Sequence, residues 1–485
     1  MGQGFKSSAR SGAALLLGTA ALLGGCTALA PSYQRPAAPV AANFPGEAQA
    51  ASAAAAAAPA AADIAWPQFY TDARLQALIR LALANNRDLR LATLNIEQAR
   101  AQLDLRRADQ LPTINAGLSE SRASKVGGGV SSLYSAGVLV TAYELDLFGR
   151  VRNLGDAALA QYLGTDEARK AVQMSLVANV ANVHLALLGD DELLRVTQAT
   201  LATRGDSLRL TKLKFDNGAA SLLELRQAES LLEGARVALA QATRQRALDE
   251  NALVLLLGQA LPADLPAAAS AGQALDRQLA ATELPAGLPS EVLTRRPDVR
   301  QAEQQLIAAN ANIGAARAAF FPKITLTGSL GSASSALDGL FRAGSLGWSF
   351  APQLLQPIFD AGRNQANLQL AQVARDIAVA QYERAVQSAF REVADALAGR
   401  ATLGEQLRAQ QAQLRAEQER TSLTELRYRS GAASALDVLD AQRSLFAAQQ
   451  AVVQLQTLRV QNLVTLYRVL GGGWAPADTA PVASR

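Results

Sequence analysis

The sequence has few of the residues that build metal centres, disulfides or nucleophilic active sites. Its 485 residues include one cysteine, Cys26, and one histidine, His184. A single cysteine cannot form an intrachain disulfide, and a zinc site needs several cysteine or histidine ligands. His184 lies in the apolar helical stretch 183–187, a position typical of a packing histidine. We therefore expect a protein that is not an enzyme and binds no metal or other cofactor.

Long hydrophobic runs and an excess of one charge are also lacking. The 46 basic and 42 acidic residues leave a net charge of +4, and no basic block lies beside aromatic residues, so we expect no nucleic acid partner. Beyond the amino-terminal segment, no apolar run approaches the ~20 residues that a membrane helix needs. Any membrane crossing would therefore use strands. Aromatic residues make up only 5% of the chain, while Ala, Leu, Gln and Arg abound, which is typical of long, closely packed helices.

The first 25 residues have the pattern of a secretory signal. Lys6 and Arg10 precede an apolar core at 13–23, and small residues lead to Cys26. The pattern resembles the signal of bacterial lipoproteins, which implies removal of residues 1–25 and acylation of Cys26. By the same resemblance, Thr27 favours sorting to the outer membrane. An ordinary signal peptide with a chance cysteine is the alternative.

Composition divides the remaining chain into a tether, a body and a tail. Residues 26–62 are rich in Ala and Pro and predict a lipidated tether with little fixed structure. The composition of residues 475–485 predicts a flexible tail. The body comprises two predicted structural repeats, at 63–261 and 290–474, joined by a Pro-rich segment at 262–289.

The body contains the same half-protein twice. Matching residues lie 210 positions apart in the first part of each half and 213 apart further on. These offsets are too long for a solenoid, whose repeats span about 20–50 residues. Examples are Asp88 with Asp298, Arg90 with Arg300, Pro112 with Pro322, Gly218 with Gly431, Ser221 with Ser434 and Gly258 with Gly471.

The sequence pattern of each half predicts a helix, a strand hairpin and a long helical hairpin. In the second half, apolar and small polar residues alternate over 323–330 and 345–350, as in half-exposed strands. No proline occurs over 364–430, so a single helix there would be roughly 100 Å long. Return helices are predicted to begin near Ser221 and Ser434. The expected fold is mainly α, with four strands per chain.

Four strands cannot close a membrane barrel by themselves, which implies an oligomer in which each chain supplies a sector. A family resemblance agrees with this. The segment from Gly287 to Arg300, which contains Arg295-Arg296-Pro297-Asp298, resembles the start of the second half of outer-membrane efflux factors. Residues 428–431 and 436–442 resemble the second helical turn of the same family. The likeness extends from Trp66 to Trp474.

The resemblance is to TolC-like lipoprotein channels of the NodT subgroup that are paired with RND-type pumps. It implies a homotrimer with a twelve-stranded β-barrel in outer-membrane lipid, continuous with a long α-helical barrel in the periplasm. It further implies passive conduction of small molecules, such as drugs, from an inner-membrane pump through a periplasmic adaptor to the exterior. The alternatives are a channel for type I-like protein secretion and a non-conducting coiled-coil structural lipoprotein.

Two carboxylates after the second helical turn are candidate site residues. Asp437 has the position of a capping-box residue with Ser434 as N-cap, which leaves Asp440 without a structural reason. In the family, the matching aspartates line the periplasmic entrance, where a trimer would carry a ring of six carboxylates that favours cations. The resemblance also implies an apolar plug at Leu436.

The resemblance implies two further roles. Tyr428 would pair with Glu224 in a clasp that closes the entrance, and Arg443 would join the constriction network, although an ordinary interface contact is an equal alternative for Arg443. On the strands, Ile324, Leu326, Trp348 and Phe350 would face lipid, whereas Thr325, Thr327 and Ser349 would face the lumen. A soluble sandwich would show the same alternation, but four short strands make a poor sandwich.

Overall fold

A computed structural model describes residues 29–44, 61–124, 126–263, 265–266 and 290–474 of the chain. The predicted signal peptide, the lipidation site at Cys26, the tail and most of the Pro-rich segment lie outside these residues. The predictions made for them therefore stay predictions.

The described residues are mostly helical, as the sequence predicts. Two helices of 67 residues dominate, and neither is interrupted, although the first contains four glycines. Short 3₁₀ turns lie at Ala61–Asp63, Ser290–Arg295 and Leu337–Gly339. The α-helices are α1 (Trp66–Phe69), α2 (Ala73–Asn85), α3 (Arg87–Ala108), α4 (Arg150–Asp216), α5 (Leu222–Leu257), α6 (Pro297–Ala318), α7 (Arg363–Arg429) and α8 (Ala435–Val469).

Four strands form one antiparallel sheet in the order β1-β2-β3-β4. They are β1 (Ile114–Ser124), β2 (Val130–Leu145), β3 (Lys323–Ser334) and β4 (Leu346–Leu355). The two predicted hairpins are present, and pairing of β2 with β3 joins one hairpin from each half of the sequence. Within the described chain, β1 and β4 are the outer strands of this sheet.

One row of the sheet consists of glycine on every strand. Gly117 pairs with Gly137, Gly137 with Gly331, and Gly331 with Gly347. A Cβ atom on Gly137 would lie against the carbonyl oxygen of Leu330, far inside van der Waals distance, whereas one on Gly347 would meet no atom within 4 Å. The close approach of β2 to β3 therefore depends on glycine in the two central strands.

The chain divides into two compact units, each drawn from both sequence halves. Unit 1 contains the sheet and comprises residues up to Ala37, Leu94–Asp166 and Gln301–Arg384. Unit 2 contains both helical turns and comprises Ala38–Thr93, Glu167–Arg300 and residues from Ala385 onward.

Alanine-rich faces of α4 and α6 pack closely in unit 1. Ala157 and Ala160 of α4 form a buried cluster with Ala308 and Ala311 of α6. Small side chains allow the two helix backbones to approach each other, which accounts for part of the high alanine content.

Buried aromatic side chains form part of the core of unit 2. The rings of Phe69 and Tyr467 stack with centroids 4.0 Å apart, and Tyr70 meets both rings edge-on. The Tyr467 hydroxyl donates a hydrogen bond to the carbonyl oxygen of Ile64 at 2.6 Å. The start of the body is thereby fixed to the end of α8.

Part of the predicted tether is held against the body of the protein. In unit 1, Arg35 makes a bidentate ion pair with Glu303 at 2.7 and 3.0 Å, and Tyr33 donates to the same carboxylate at 2.9 Å. Asn310 and Arg317 of α6 donate to the carbonyl oxygens of residues 31 and 29. The expectation of little fixed structure therefore does not hold for residues 29–37, because α6 supplies charged and polar partners for them.

Helix α4 contains one apolar stretch that the sequence analysis did not anticipate. An 18-residue window within it has a mean hydropathy of 1.5, enough by length and composition to cross a membrane. Half of that window is buried inside the protein, and buried core helices of water-soluble proteins have the same composition. His184, in the same helix, is 4% exposed, in agreement with a packing role.

Candidate functional site

The predicted entrance residues lie around the two helical turns of unit 2. Each turn contains a glycine with positive φ, Gly218 at 73° and Gly431 at 77°, a conformation that side chains with a Cβ rarely adopt. The matched glycines of the two repeats therefore have one physical cause, since both allow a long helix to reverse direction. Ser221 and Ser434 then cap the return helices α5 and α8.

Asp437 is held by the cap of α8. Its carboxylate accepts hydrogen bonds from the Ser434 hydroxyl at 2.8 Å and from the Ser434 backbone N–H at 2.9 Å, and its own N–H donates to the Ser434 hydroxyl at 3.2 Å. These bonds lower the pKa of Asp437 below its usual value. The capping box predicted from the sequence is confirmed, and Asp437 stays ionised at neutral pH.

Asp440 has structural partners that the sequence analysis did not find. Arg443 lies 2.5 Å from Oδ1 of Asp440 and Arg420 lies 3.3 Å from Oδ2. Glu417 in turn binds Arg420 at 2.7 Å. The structure therefore gives Asp440 a role in holding α7 to α8, which the capping argument alone did not supply. Arg443 lies three residues after Asp440 on the same helix, and its predicted place in a constriction network stays a prediction.

The register of the helical hairpin could have identified Arg420. The helices α7 and α8 run antiparallel from the turn at Gly431, so residues at similar distances before and after the turn face each other. Arg420 and Asp440 stand in that relation. So do Thr421 and Ala441, between which the Thr421 hydroxyl donates to the Ala441 carbonyl at 3.3 Å.

Tyr428 pairs with Lys214 and not, as predicted, with Glu224. The Lys214 ammonium donates to the Tyr428 hydroxyl at 2.8 Å and lies 4.4 Å from the centre of its ring. Glu224 accepts from the backbone and hydroxyl of Ser221 at 2.6 and 3.0 Å. These bonds and the nearby charge of Lys214 lower the pKa of Glu224. Glu224 is therefore engaged in the helix cap. Lys214, which sequence reasoning missed, lies beside the phenol of Tyr428 where Glu224 was expected.

Leu436 lies at the first turn of α8 and its side chain is 56% exposed. It sits next to the capped Asp437 in sequence. An exposed leucine at this position has the accessibility that a plug would require.

The strand residues predicted to face lipid share one face of the sheet. Leu330 pairs with Trp348, and Gly328 with Phe350, so the apolar alternation of β3 is in register with that of β4. Trp348 and Phe350 are 78% and 61% exposed. The same face continues onto β2, where Val138 pairs with Leu330, and onto β1, where Ala116 and Leu118 pair with Val138 and Ala136. On β3, the predicted lipid-facing residues Ile324 and Leu326 belong to this face as well.

The opposite face carries small polar residues. The hydroxyls of Ser119 and Ser135 lie 2.7 Å apart, as do those of Ser329 and Ser349. Thr327 accepts a hydrogen bond at 3.3 Å from the N–H of Ala142, which has a φ of 52° in the bulge of β2. One sheet therefore has one apolar and one hydroxyl-rich face, both open.

Comparison with known protein families gives two matches, one for each half of the chain. The family described as Outer membrane efflux protein matches residues 78–259 and 288–472. The two segments correspond to the repeats found in the sequence.

Individual relatives match over nearly the whole length. The chain is 48% identical to the toluene efflux pump outer membrane protein TtgC of Pseudomonas putida, over 94% of each chain. It is 46% identical to the outer membrane protein OprJ of Pseudomonas aeruginosa, over 93% of this chain and 94% of OprJ. The open state of the Neisseria gonorrhoeae MtrE outer membrane channel is similar in structure, with a TM-score of 0.83 and 41% identity, and covers 92% of this chain and 99% of MtrE.

Proposed function

We propose that this chain, which belongs to the outer membrane efflux protein family, is the outer-membrane channel of a tripartite efflux pump. It would conduct small molecules passively from a periplasmic adaptor and an RND-type inner-membrane pump to the exterior, and would catalyse no reaction. Relatives whose names mention toluene, solvents and antibiotics support cargo of this kind.

The observation that carries the proposal is the sheet. Its apolar face is exposed on all four strands, and its outer strands β1 and β4 offer unpaired backbone groups in the described chain. Such edges are not tolerated in lipid. Three copies, each pairing its β4 with the β1 of the next, would give twelve strands and remove every edge. The hydroxyl-rich face would then line the lumen, and Trp348 and Phe350 would contact lipid.

The helical turns would form the periplasmic entrance. Threefold symmetry would place Asp437 and Asp440 of each copy around the axis, with Leu436 beside them as an apolar constriction. Because Arg443 and Arg420 bind Asp440, the cation preference of a closed entrance would rest chiefly on Asp437. Release of Asp440 from its arginine partners would add its charge to the ring.

A clasp between the helical turns would involve Lys214 in place of a direct bond from Tyr428 to Glu224. Lys214 holds the phenol of Tyr428 and acts electrostatically on Glu224. Separation of the two turns would break this contact. Cys26 would attach the chain to lipid, as the sequence pattern of its first 26 residues indicates.

The proposal is tested by single-channel recording of the full-length protein in planar bilayers, together with its oligomer mass in the same detergent. We expect stepwise, cation-selective currents from a trimer. The double variant Asp437→Asn with Asp440→Asn removes both charges but leaves an oxygen for the cap at 437, so the fold should persist while the cation to anion permeability ratio falls towards one.

Asp206→Asn is the matched control, since Asp206 is a well exposed carboxylate on α4 that pairs with Arg209 at 3.6 Å. The control should keep the selectivity of the unmodified protein. Unchanged selectivity in the double variant would exclude the carboxylate ring and leave only the capping role. A monomer that never conducts would favour a structural lipoprotein.

A further inference from the structure

Arg204 of helix α4 is a buried cation without a carboxylate partner in the described part of the chain. The residue is 5% exposed. Its Nη1 donates to the carbonyl oxygen of Leu231 at 2.8 Å, and its guanidinium carbon lies 5.0 Å from the centre of the Phe446 ring. Its Nε–H is buried and has no hydrogen-bond partner among the described residues.

This environment is unusual for a buried arginine. Buried charges are normally paired and hydrogen-bonded, because removal of a charge from water is costly. Arg296 in the same unit follows the rule, with two carboxylates bound to it. Burial lowers the pKa of Arg204, yet a guanidinium stays protonated in proteins, so a positive charge persists here.

The unpaired guanidinium lines a groove of about 190 Å³ between α4, α7 and α8. A second guanidinium, that of Arg195, and one carboxylate, that of Glu425, also line the groove. Arg195 is bound by Glu192 at 2.5 Å. The groove therefore has room for a group of several atoms, given that a water occupies about 30 Å³.

Gln442 contributes a second unpartnered polar atom to the same groove. Its Oε1 is buried without a hydrogen-bond partner among the described residues, while its Nε2 lies 3.5 Å from a carboxylate oxygen of Glu425. The groove thus contains an orphan donor on Arg204 and an orphan acceptor on Gln442. A bound group that satisfies both atoms accepts one hydrogen bond and donates another, as a water molecule also does. A group with negative charge would in addition compensate the guanidinium of Arg204.

We propose that this groove is a binding site for hydrogen phosphate or a similar protonated oxyanion. An unprotonated oxygen accepts the Nε–H of Arg204 in a charge-assisted hydrogen bond. The P–OH group donates to Oε1 of Gln442. The site lies on the helices of unit 2, and a binding measurement tests it without any conductance readout.

Thermal unfolding of the full-length protein in detergent, followed by circular dichroism, tests the site with inorganic phosphate as the probe. Ionic strength and pH are held constant, with sodium gluconate as the balancing salt. A ligand that binds only the folded protein raises the unfolding midpoint in a saturable way. We expect this response to phosphate, and a several-fold weaker apparent affinity for sulfate, which carries no O–H donor at neutral pH.

The variant Arg204→Gln should abolish the response to phosphate. The matched control is Arg209→Gln on the same helix, where the arginine is exposed and paired with Asp206. That control should respond as the unmodified protein does. No saturable response, a response that survives Arg204→Gln, or an equal response to sulfate would each overturn the proposal.

A second variant keeps the proposal testable if Arg204→Gln does not fold. Exchange of Glu425→Gln and Gln442→Glu moves one carboxylate to the position of the orphan oxygen without any change in net charge. The internal carboxylate should then replace the anion, so that the midpoint without phosphate rises and the dependence on phosphate disappears. A phosphate response unchanged by the exchange would contradict the site.

Discussion

Replacement of Arg296 by methionine should lower the free energy of unfolding by about 3–5 kcal/mol, the usual effect of removing one partner of a buried ion pair. Arg296 is 2% exposed. Its guanidinium binds both oxygens of Asp298 at 3.0 and 2.7 Å, Glu392 at 3.0 Å and the carbonyl oxygen of Val469 at 2.9 Å. Methionine fills a similar volume but leaves these acceptors without their donor.

The free energy of unfolding that is lost in Arg296→Met should depend on pH, in a direction that the pKa of Asp298 determines. Burial alone would raise the pKa of this carboxyl, but the hydrogen bonds and charge of Arg296 outweigh burial and hold it below its usual value. A carboxyl with a depressed pKa stabilises the folded state fully above its unfolded pKa of about 3.9, and this stability is lost as the pH falls through the folded pKa. The difference between the unmodified protein and Arg296→Met should therefore narrow below about pH 4.

Thermal unfolding followed by circular dichroism measures the effect, and Arg295→Met is the matched control. Arg295 is the preceding residue, but its ion pair with Asp63, at 3.6 Å, has both side chains more than 60% exposed and should contribute at most about 1 kcal/mol. We expect a fall in the midpoint of about 3–5 °C for Arg296→Met, because a chain of 485 residues unfolds with an entropy of about 1 kcal/mol/K, and little change for the control. Equal effects of the two variants at neutral pH would refute the assignment of the stability to burial.

Two further changes test the sheet and a buried acidic pair. In Gly331→Ala, the new Cβ would press against the carbonyl oxygen of Ala136 and should greatly reduce the yield of the heat-resistant folded form on gels. Gly347→Ala in the same row should not reduce that yield, because a Cβ there meets no atom within 4 Å. Equal yields of the two variants would contradict the steric argument. Burial, together with the hydrogen bond and charge of Asp249, raises the pKa of Asp190 to about 7, so the folded state loses stability as the pH rises from about 4 to about 7. Asp190→Asn should therefore raise the thermal midpoint above about pH 7 and leave it nearly unchanged near pH 4, and an equal shift at both would exclude titration as the cause.

The features predicted correctly depend on neighbours along the chain. Helix caps need only Ser434 and the carboxylate three residues later, and the glycines at the turns need only their own φ. The faces of β3 follow from the two-residue period of a strand. Such local rules located the long helices, both hairpins and the capping box of Ser434 without knowledge of the tertiary structure.

The predictions that needed correction depend on residues far apart in sequence. Whether Tyr428 meets Glu224 or Lys214 depends on the rotation of α4 against α7, which periodicity does not specify. The same holds for the contact of Arg420 with Asp440, although the hairpin register could have suggested it. The attachment of Arg35 to Glu303 had no signal in a segment whose composition is that of a linker.

The sequence by itself determined the duplicated halves, the length of the helices, the alternation of the strands and the resemblance to a family of outer-membrane channels. These features follow from backbone preferences and from the spacing of apolar residues, both of which act over a few positions. Only the tertiary structure decided which charges are paired: it gave Asp440 two arginine partners, surrounded Arg296 with acceptors and, among the residues it describes, left Arg204 without a carboxylate partner. The reason is that the stability of a buried charge depends on the groups that other helices bring within hydrogen-bond distance, and the sequence specifies that arrangement only through the complete fold.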